Sequence, residues 1–138
     1  MLYLDTSVVV PLFVNEDVSA AVKKWAAAQR ATMTVSEWVN TEFVSALALK
    51  VRTGVMSNSD RSRATGLFDK QRSGFRTLSF ESRFFVDARN FIADYNTGLR
   101  ASDALHLAIA ASVSATLCTR DRRFAEAATQ LGRPVEII

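Results

Sequence analysis

The sequence predicts an α/β fold in which a mostly parallel central sheet is flanked by helices on both sides. Short apolar runs of strand length alternate with longer segments whose apolar residues recur at helical spacing. A helix between successive strands implies parallel pairing with right-handed crossovers. The 138 residues are 49% apolar, which is enough for a core. No linker, repeat or low-complexity stretch divides them, so residues 1–138 are expected to form a single domain.

Five runs have the length and apolar content of strands. They are residues 1–4, 32–35, 75–78, 115–118 and 135–138. The segments between them predict seven helices. These are residues 8–14, 17–28, 36–53, 57–72, 81–95, 100–111 and 122–130.

Local signals mark several of the predicted helix ends. Pro11 is expected to break the first helix, because proline has no backbone N–H. Asp17 and Ser36 are placed to cap the helices that follow them, and Gly54 is placed to end the second of these. The helix from Arg100 is apolar on most of its surface, so it should be central.

Four acidic residues fall where one crevice should form. Asp5 and Asp121 each follow a predicted strand, and ligands bind outside the carboxyl ends of parallel strands. Asp103 lies in the first turn of the central helix, which a crossover brings to the same edge. Glu42 interrupts the apolar stripe of the helix that Ser36 opens. Taken singly, each acid can have an ordinary structural role, since Asp5 and Asp121 can cap helices, Asp103 can interact with a helix dipole, and Glu42 can face solvent.

Together the four carboxylates predict a site for a hard cation. Oxygen ligands suit Mg²⁺ or Mn²⁺, which can activate water and stabilise a phosphodiester transition state. The chain has one cysteine and one histidine, too few soft ligands for a zinc site. A single cysteine also excludes a disulfide framework and is typical of a reducing compartment.

The motifs around these acids resemble those of PIN-domain ribonucleases, most closely the VapC toxins of bacterial toxin–antitoxin pairs. They are LDTS at residues 4–7, Glu42 in an early helix, RASDALHLA at 100–108 and TRDRRF at 119–124. The resemblance extends over nearly the whole chain, and the order and approximate spacing of all four acids match. It implies a PIN-like three-layer α/β/α domain and a Mg²⁺- or Mn²⁺-dependent endoribonuclease.

The resemblance also implies roles for individual residues. The metal-site acids of the family correspond to Asp5, Glu42, Asp103 and Asp121, which would be both catalytic and metal-binding. Its supporting polar residues correspond to Ser7 and Thr119. Some relatives carry a further acid after the last one, where this chain has arginines at 122 and 123. A resting site with one metal ion, joined by a second with substrate, is therefore expected.

Partners follow from the same resemblance. RNA is the expected substrate, a cognate VapB-like antitoxin the expected inhibitor, and a homodimer the expected assembly. We expect the antitoxin to lay an apolar segment against the helices at residues 18–25 and 38–51, and to present a basic side chain to the acids. The net charge of +3 favours a polyanionic partner only weakly. No apolar run is long enough to cross a membrane, and the chain opens on a strand instead of a basic leader, so we expect a cytoplasmic protein.

Several other residues allow two interpretations. His106 can be a ligand or general base, but a core-facing histidine held by a neighbour is favoured. Cys118 is expected to be a buried strand residue. The basic residues flanking the acids can contact RNA phosphates or form a solvated surface. They are Arg100, Arg120, Arg122 and Arg123.

Two rival functions remain open from the sequence. The first is a phosphatase or phosphoacceptor domain that uses Asp5 as nucleophile, although Ser7 stands where the phosphatase pattern has a second Asp. The second is a catalytically idle PIN-like module that acts through protein contacts. Metal-dependent cleavage of RNA, measured beside hydrolysis of a phosphomonoester, distinguishes them.

Overall fold

The structure, a computed structural model, describes residues 1–138 and has an all-parallel sheet of five strands. The strands are β1 (Leu2–Leu4), β2 (Met33–Ser36), β3 (Arg76–Leu78), β4 (Thr116–Thr119) and β5 (Val135–Ile137). Their spatial order is β3-β2-β1-β4-β5. The parallel sheet confirms the predicted fold class, and every strand lies within one residue of its predicted position.

Seven α-helices connect the strands. They are α1 (Thr6–Phe13), α2 (Ser19–Ala28), α3 (Glu37–Arg52), α4 (Asn58–Gln71), α5 (Arg83–Ala93), α6 (Ala101–Ser112) and α7 (Arg122–Gln130). Helices α1 to α4 pack against one another, and α5 packs against α6. Right-handed crossovers place these two groups on opposite faces of the sheet, which gives three layers. None of the helices is long and apolar enough to span a membrane.

Two predictions about helix ends are wrong. Helix α1 runs unbroken through Pro11, because the missing N–H leaves only the Ser7 carbonyl without its helical bond, while Val8 and Val9 are fully buried. Asp17 does not cap α2. Instead the Ser19 hydroxyl donates to the Val14 carbonyl at 2.7 Å and ties the two helices together.

Both predicted ends of α3 are confirmed. The Ser36 side chain accepts a hydrogen bond from the Val39 N–H, and Gly54 adopts a positive φ of 73° just after the helix. A glycine in that conformation lets the chain turn away without a Cβ clash. Because Ser36 ends β2 and opens α3 without a loop, the first turns of α3 lie at the carboxyl edge of the sheet.

The core is continuous through both helical layers. Phe43 of α3 stacks on Phe68 of α4 at a centroid distance of 4.3 Å, and Phe13 meets both rings edge-on. In α6 every residue from 104 to 110 is buried, which confirms that this helix is central. The elements that carry the acids are therefore held by close packing.

We predict that Phe43→Ala destabilises the fold by about 3 to 5 kcal/mol, since it removes a fully buried ring from an aromatic cluster. Val44→Ala is the matched control, because the Val44 side chain is next to Phe43 in the sequence but 48% exposed. This substitution should change stability by less than about 0.5 kcal/mol. Urea unfolding measures both. Equal effects of the two substitutions would contradict a core role for the Phe43 ring.

Candidate active site

The candidate site lies where the strand order reverses, between β1 and β4. Connections leave these two central strands in opposite directions, and such a switch point opens a crevice at the carboxyl ends of the strands. Leu4 pairs with Cys118, which brings Asp5, the residue after β1, beside Thr119, the last residue of β4. The sheet topology alone thus positions the first acid and its hydroxyl neighbour.

Asp5 is 5% exposed, and both of its carboxylate oxygens accept hydrogen bonds. Ser7 Oγ donates to Oδ1 at 2.6 Å, and Thr119 Oγ1 donates to Oδ2 at 2.6 Å. The Val8 N–H also donates to Oδ1, at 3.2 Å, so Asp5 caps α1. The helix-capping interpretation of Asp5 is therefore correct, and it holds together with a position in the crevice.

Burial raises the pKa of Asp5 above its ordinary value, although the charge of His106 and the Ser7 and Thr119 hydroxyls act in the opposite direction. No basic side chain forms an ion pair with this carboxylate. Buried charges in proteins are normally paired with an opposite charge or bound to a metal. The crevice consequently favours a cation beside Asp5.

Asp103 and Asp121 add negative charge to the same crevice. Asp103 is partly buried in the first turn of α6, and its pKa is raised by burial, by the charge of Asp121 and, more weakly, by that of Asp5. Electrostatic interactions with His106 and Arg100 oppose that rise. Because like charges shift a pKa only at short range, Asp121 and Asp5 both lie close enough to affect the charge of Asp103.

Asp121 also has a structural role. It caps α7, accepting hydrogen bonds from the backbone of Arg123 at 2.9 Å and Phe124 at 3.2 Å. Its own N–H donates to Thr119 Oγ1 at 3.0 Å. The Thr119 hydroxyl therefore links Asp5 to Asp121, and the capping interpretation is again correct.

Glu42 lies in the second turn of α3 and meets a histidine. His106 Nε2 lies 2.6 Å from Glu42 Oε2, and Thr6 Oγ1 donates to the same oxygen at 2.6 Å. Partial burial acts to raise the pKa of Glu42, but the hydrogen bond and charge of His106, with the Thr6 hydroxyl, hold it below its ordinary value. Glu42 is therefore an ionised carboxylate at the edge of the crevice.

His106 is buried and bonded at both ring nitrogens, so the structure favours the core-facing interpretation. Its Nδ1 lies 2.9 Å from the Tyr3 hydroxyl, which lies 2.8 Å from Ser36 Oγ. Sequence reasoning missed Tyr3, Thr6 and Ser36 as parts of this network. Tyr3 has the pattern of a core strand residue and Ser36 that of a helix cap, and both patterns are correct as far as they go.

The donor chemistry of the crevice fits a hard divalent cation. The side-chain atoms of the crevice that can bind a cation are carboxylate oxygens. Both nitrogens of His106 are engaged in hydrogen bonds, and burial raises the pKa of Cys118 to about 12, which disfavours a thiolate ligand. No three Asp, Glu, His or Cys side chains are grouped closely enough to hold a metal ion by themselves. Mg²⁺ does not require this, since it is usually bound through one or two carboxylates and keeps several waters.

Four arginines lie within three residues of the acids in the sequence and form no ion pairs. Arg100 precedes α6 and Arg120 follows β4, while Arg122 and Arg123 open α7. All but Arg120 are well exposed. Their guanidinium groups are therefore free to meet an anionic ligand near the crevice.

A family model of the PIN domain matches residues 2–130. The chain belongs to the PIN-domain family. Among curated proteins, none matches this sequence significantly. The predicted membership and fold are thereby confirmed, and PIN-domain nucleases generally need divalent metal ions.

Several solved structures similar to this PIN domain are toxins or complexes of toxin–antitoxin systems. VapC20 of Mycobacterium tuberculosis, a toxin that cleaves the sarcin–ricin loop, is 15% identical with a TM-score of 0.72, covering 92% of this chain and 95% of its own. FitAcB from Neisseria gonorrhoeae is 20% identical with a TM-score of 0.70, covering 98% and 96%. DNA-bound VapBC from Salmonella typhimurium is 15% identical with a TM-score of 0.70, covering 99% and 96%. At these identities the likeness shows the shared fold.

We predict opposite stability changes for two acids in the metal-free protein. Because the folded pKa of Asp103 is raised, its charge destabilises the fold above that pKa, and Asp103→Asn should raise Tm at neutral pH. Because the folded pKa of Glu42 is lowered, its charge stabilises the fold above the unfolded pKa, and Glu42→Gln should lower Tm. Thermal unfolding in EDTA measures both.

Both differences should shrink as the pH falls. Asp103 of the parent protein takes up its proton first, at its raised pKa, and the stabilisation from Glu42 is lost last, at its lowered pKa. Changes in Tm of the same sign for the two variants at neutral pH would contradict this distribution of charge.

Proposed function

We propose that this PIN domain is a metal-dependent endoribonuclease of the VapC toxin type. The observation that carries the proposal is the crevice at the switch point of the sheet, where Asp5 is buried without an ion-pairing base and the charges of Asp121 and Asp5 raise the pKa of Asp103. Family membership and the toxin structures that share the fold support it. RNA is the proposed substrate, and Mg²⁺ or Mn²⁺ the proposed cofactor.

All four acids would contribute to binding the metal ion. Asp5 and Asp103 would be the direct ligands, with Asp121 and Glu42 contributing directly or through bound water. A divalent ion in such a site makes water more acidic and neutralises charge that develops on phosphate. Hydrolysis then forms one P–O bond to water and breaks the bond to the leaving ribose oxygen, which takes up a proton. Ser7 and Thr119 would keep the Asp5 carboxylate in one orientation throughout.

One resting metal ion is the more consistent arrangement. Arg122 and Arg123 stand where some relatives of the predicted family carry a further acid, and both are exposed. Positive charges at these positions disfavour a second resident cation. They would instead meet the phosphates of RNA, and a second ion would enter only with the substrate.

The proposed protein partners are a VapB-like antitoxin and a second copy of the chain. VapBC and FitAcB assemblies share this fold, which supports an antitoxin partner. The proposed antitoxin contact remains the surface of α2 and α3. Val44 and Leu49 of α3 are large apolar side chains that are about half exposed, as such a contact requires.

The phosphatase or phosphoacceptor alternative gains no support from the contacts of Asp5. A nucleophilic carboxylate needs an oxygen that can reach the substrate phosphorus. Here Oδ1 accepts from Ser7 and Val8, and Oδ2 accepts from Thr119. This arrangement suits a fixed ligand better than an attacking group.

The test is cleavage of a panel of labelled RNAs with Mg²⁺ or Mn²⁺, with and without excess EDTA. Asp5→Asn should lower the cleavage rate by roughly 100-fold or more, since a central charge of the site is lost. It should weaken Mn²⁺ binding and leave the fold intact, because Asn can still accept the Ser7 and Val8 bonds and cap α1.

Asp17→Asn is the matched control, since Asp17 precedes α2 and does not cap it. It should cleave RNA like the parent protein. Full activity of Asp5→Asn, or robust cleavage in excess EDTA, would contradict the proposed function. Turnover of a phosphomonoester without RNA cleavage would favour the phosphatase alternative. A folded parent protein with neither activity would favour an idle interaction module.

We predict that Arg100, Arg122 and Arg123 contribute to RNA binding and not to the chemical step. Substituting all three with Ala should weaken binding and flatten its salt dependence, each lost phosphate contact lowering the slope by about 0.7 for single strands. The control replaces Lys24, Arg30 and Arg72, which are exposed and lie away from the carboxyl edge. A triple variant that keeps the parent slope but no longer cleaves bound RNA would place these arginines in the transition state.

A further inference from the structure

We propose that His106 and Tyr3 are positioning residues that hold the Glu42 carboxylate in its place beside the crevice. This inference rests on the proposed function, and it assigns His106 an action through Glu42 and not as a metal ligand. Four side chains from four elements carry it: Tyr3 of β1, Ser36 at the end of β2, Glu42 of α3 and His106 of α6.

The network runs from the centre of the sheet to the site. The Tyr3 hydroxyl meets Ser36 Oγ at 2.8 Å and His106 Nδ1 at 2.9 Å, and His106 Nε2 meets Glu42 Oε2 at 2.6 Å. Tyr3 is fully buried, Ser36 is 1% exposed and His106 is 3% exposed. Only its last member, Glu42, reaches solvent, with 23% of its side chain exposed.

The orientation of the His106 ring follows from its partners. A carboxylate can only accept hydrogen bonds, so in the 2.6 Å contact between His106 Nε2 and Glu42 Oε2 the proton belongs to Nε2. Burial raises the pKa of Tyr3, which keeps its hydroxyl protonated and able to donate or accept at Nδ1. A rotated ring would leave the two buried ring nitrogens of His106 without partners, which is strongly unfavourable.

The same contacts leave one Glu42 oxygen without a hydrogen-bond partner. Thr6 and His106 both bind Oε2, and Oε1 has no hydrogen-bond partner in the protein. The Trp38 indole N–H lies near enough to lower the pKa of Glu42, yet it makes no hydrogen bond of ordinary geometry. Glu42 is thus fixed through one oxygen while the other stays available to a metal ion or its water.

Two substitutions of His106 separate positioning from packing. The Gln side-chain amide reaches approximately the place of Nε2, so His106→Gln keeps a donor for Glu42. The Asn amide reaches the place of Nδ1, so His106→Asn keeps a partner for Tyr3 and loses the contact with Glu42. Partners of this kind typically change metal affinity or activity by about 10- to 100-fold when removed.

The measurement is Mn²⁺ binding by calorimetry, with thermal unfolding and RNA cleavage alongside. His106→Asn should weaken Mn²⁺ binding about 10-fold, and His106→Gln should restore most of that loss. In a Glu42→Gln background His106→Asn should not weaken Mn²⁺ binding further, because the carboxylate that His106 positions is gone. Tyr3→Phe, which removes one buried hydroxyl, should weaken binding in the same direction by a smaller factor.

Ser19→Ala is the matched control, since it removes a buried hydroxyl that bonds Val14 and Glu16 away from the crevice. It should lower Tm and leave Mn²⁺ affinity unchanged. If the parent protein binds Mn²⁺ and both His106 variants bind it as tightly as the parent does, the inference is wrong. It is also wrong if His106→Asn weakens binding equally with and without Glu42→Gln. A parent protein that binds no Mn²⁺ contradicts the proposed function itself.

Discussion

The buried negative charge of Asp5 is the constraint on which the rest of the site depends. A carboxylate that is 5% exposed must be compensated, and here three protein donors meet it with no ion-paired base. Those donors come from α1 and β4, so the hydrogen bonds of Asp5 connect the end of β1 to the end of β4. The arrangement lowers the penalty of burial without cancelling it, since the pKa of Asp5 stays above its ordinary value. A site of this kind favours a cation and can hold one in a fixed place.

The surrounding packing makes this unfavourable charge tolerable. Asp103 and Asp5 each have a raised pKa, whereas Glu42 is held ionised by His106, so repulsion and attraction lie within one crevice. The elements that carry these residues are anchored by the Phe43–Phe68 stack and by the buried length of α6. Natural proteins commonly keep such local conflicts at functional sites and compensate for them elsewhere in the fold.

The similarity to toxin structures at 15 to 20% identity has a physical basis. Cores tolerate many apolar exchanges when volume and pattern are kept, so related proteins can keep one fold while most of their residues differ. Activity depends on a few side chains placed on that fold. For this PIN domain, the proposed activity therefore depends on the acids and on the hydroxyls and histidine that contact them.

The sequence by itself determined the strands and most helix ends, because hydrophobic period is a local property, and it predicted that Asp5 and Asp121 follow strands of one sheet. It did not determine that α1 continues through Pro11, since burial of Val8 and Val9 outweighs one lost hydrogen bond. Nor did it show that His106 meets Glu42, or that Tyr3 orients His106. Those contacts join residues 64 and 103 positions apart. Only the tertiary structure decided them, because no local pattern encodes which buried polar groups will share a hydrogen bond.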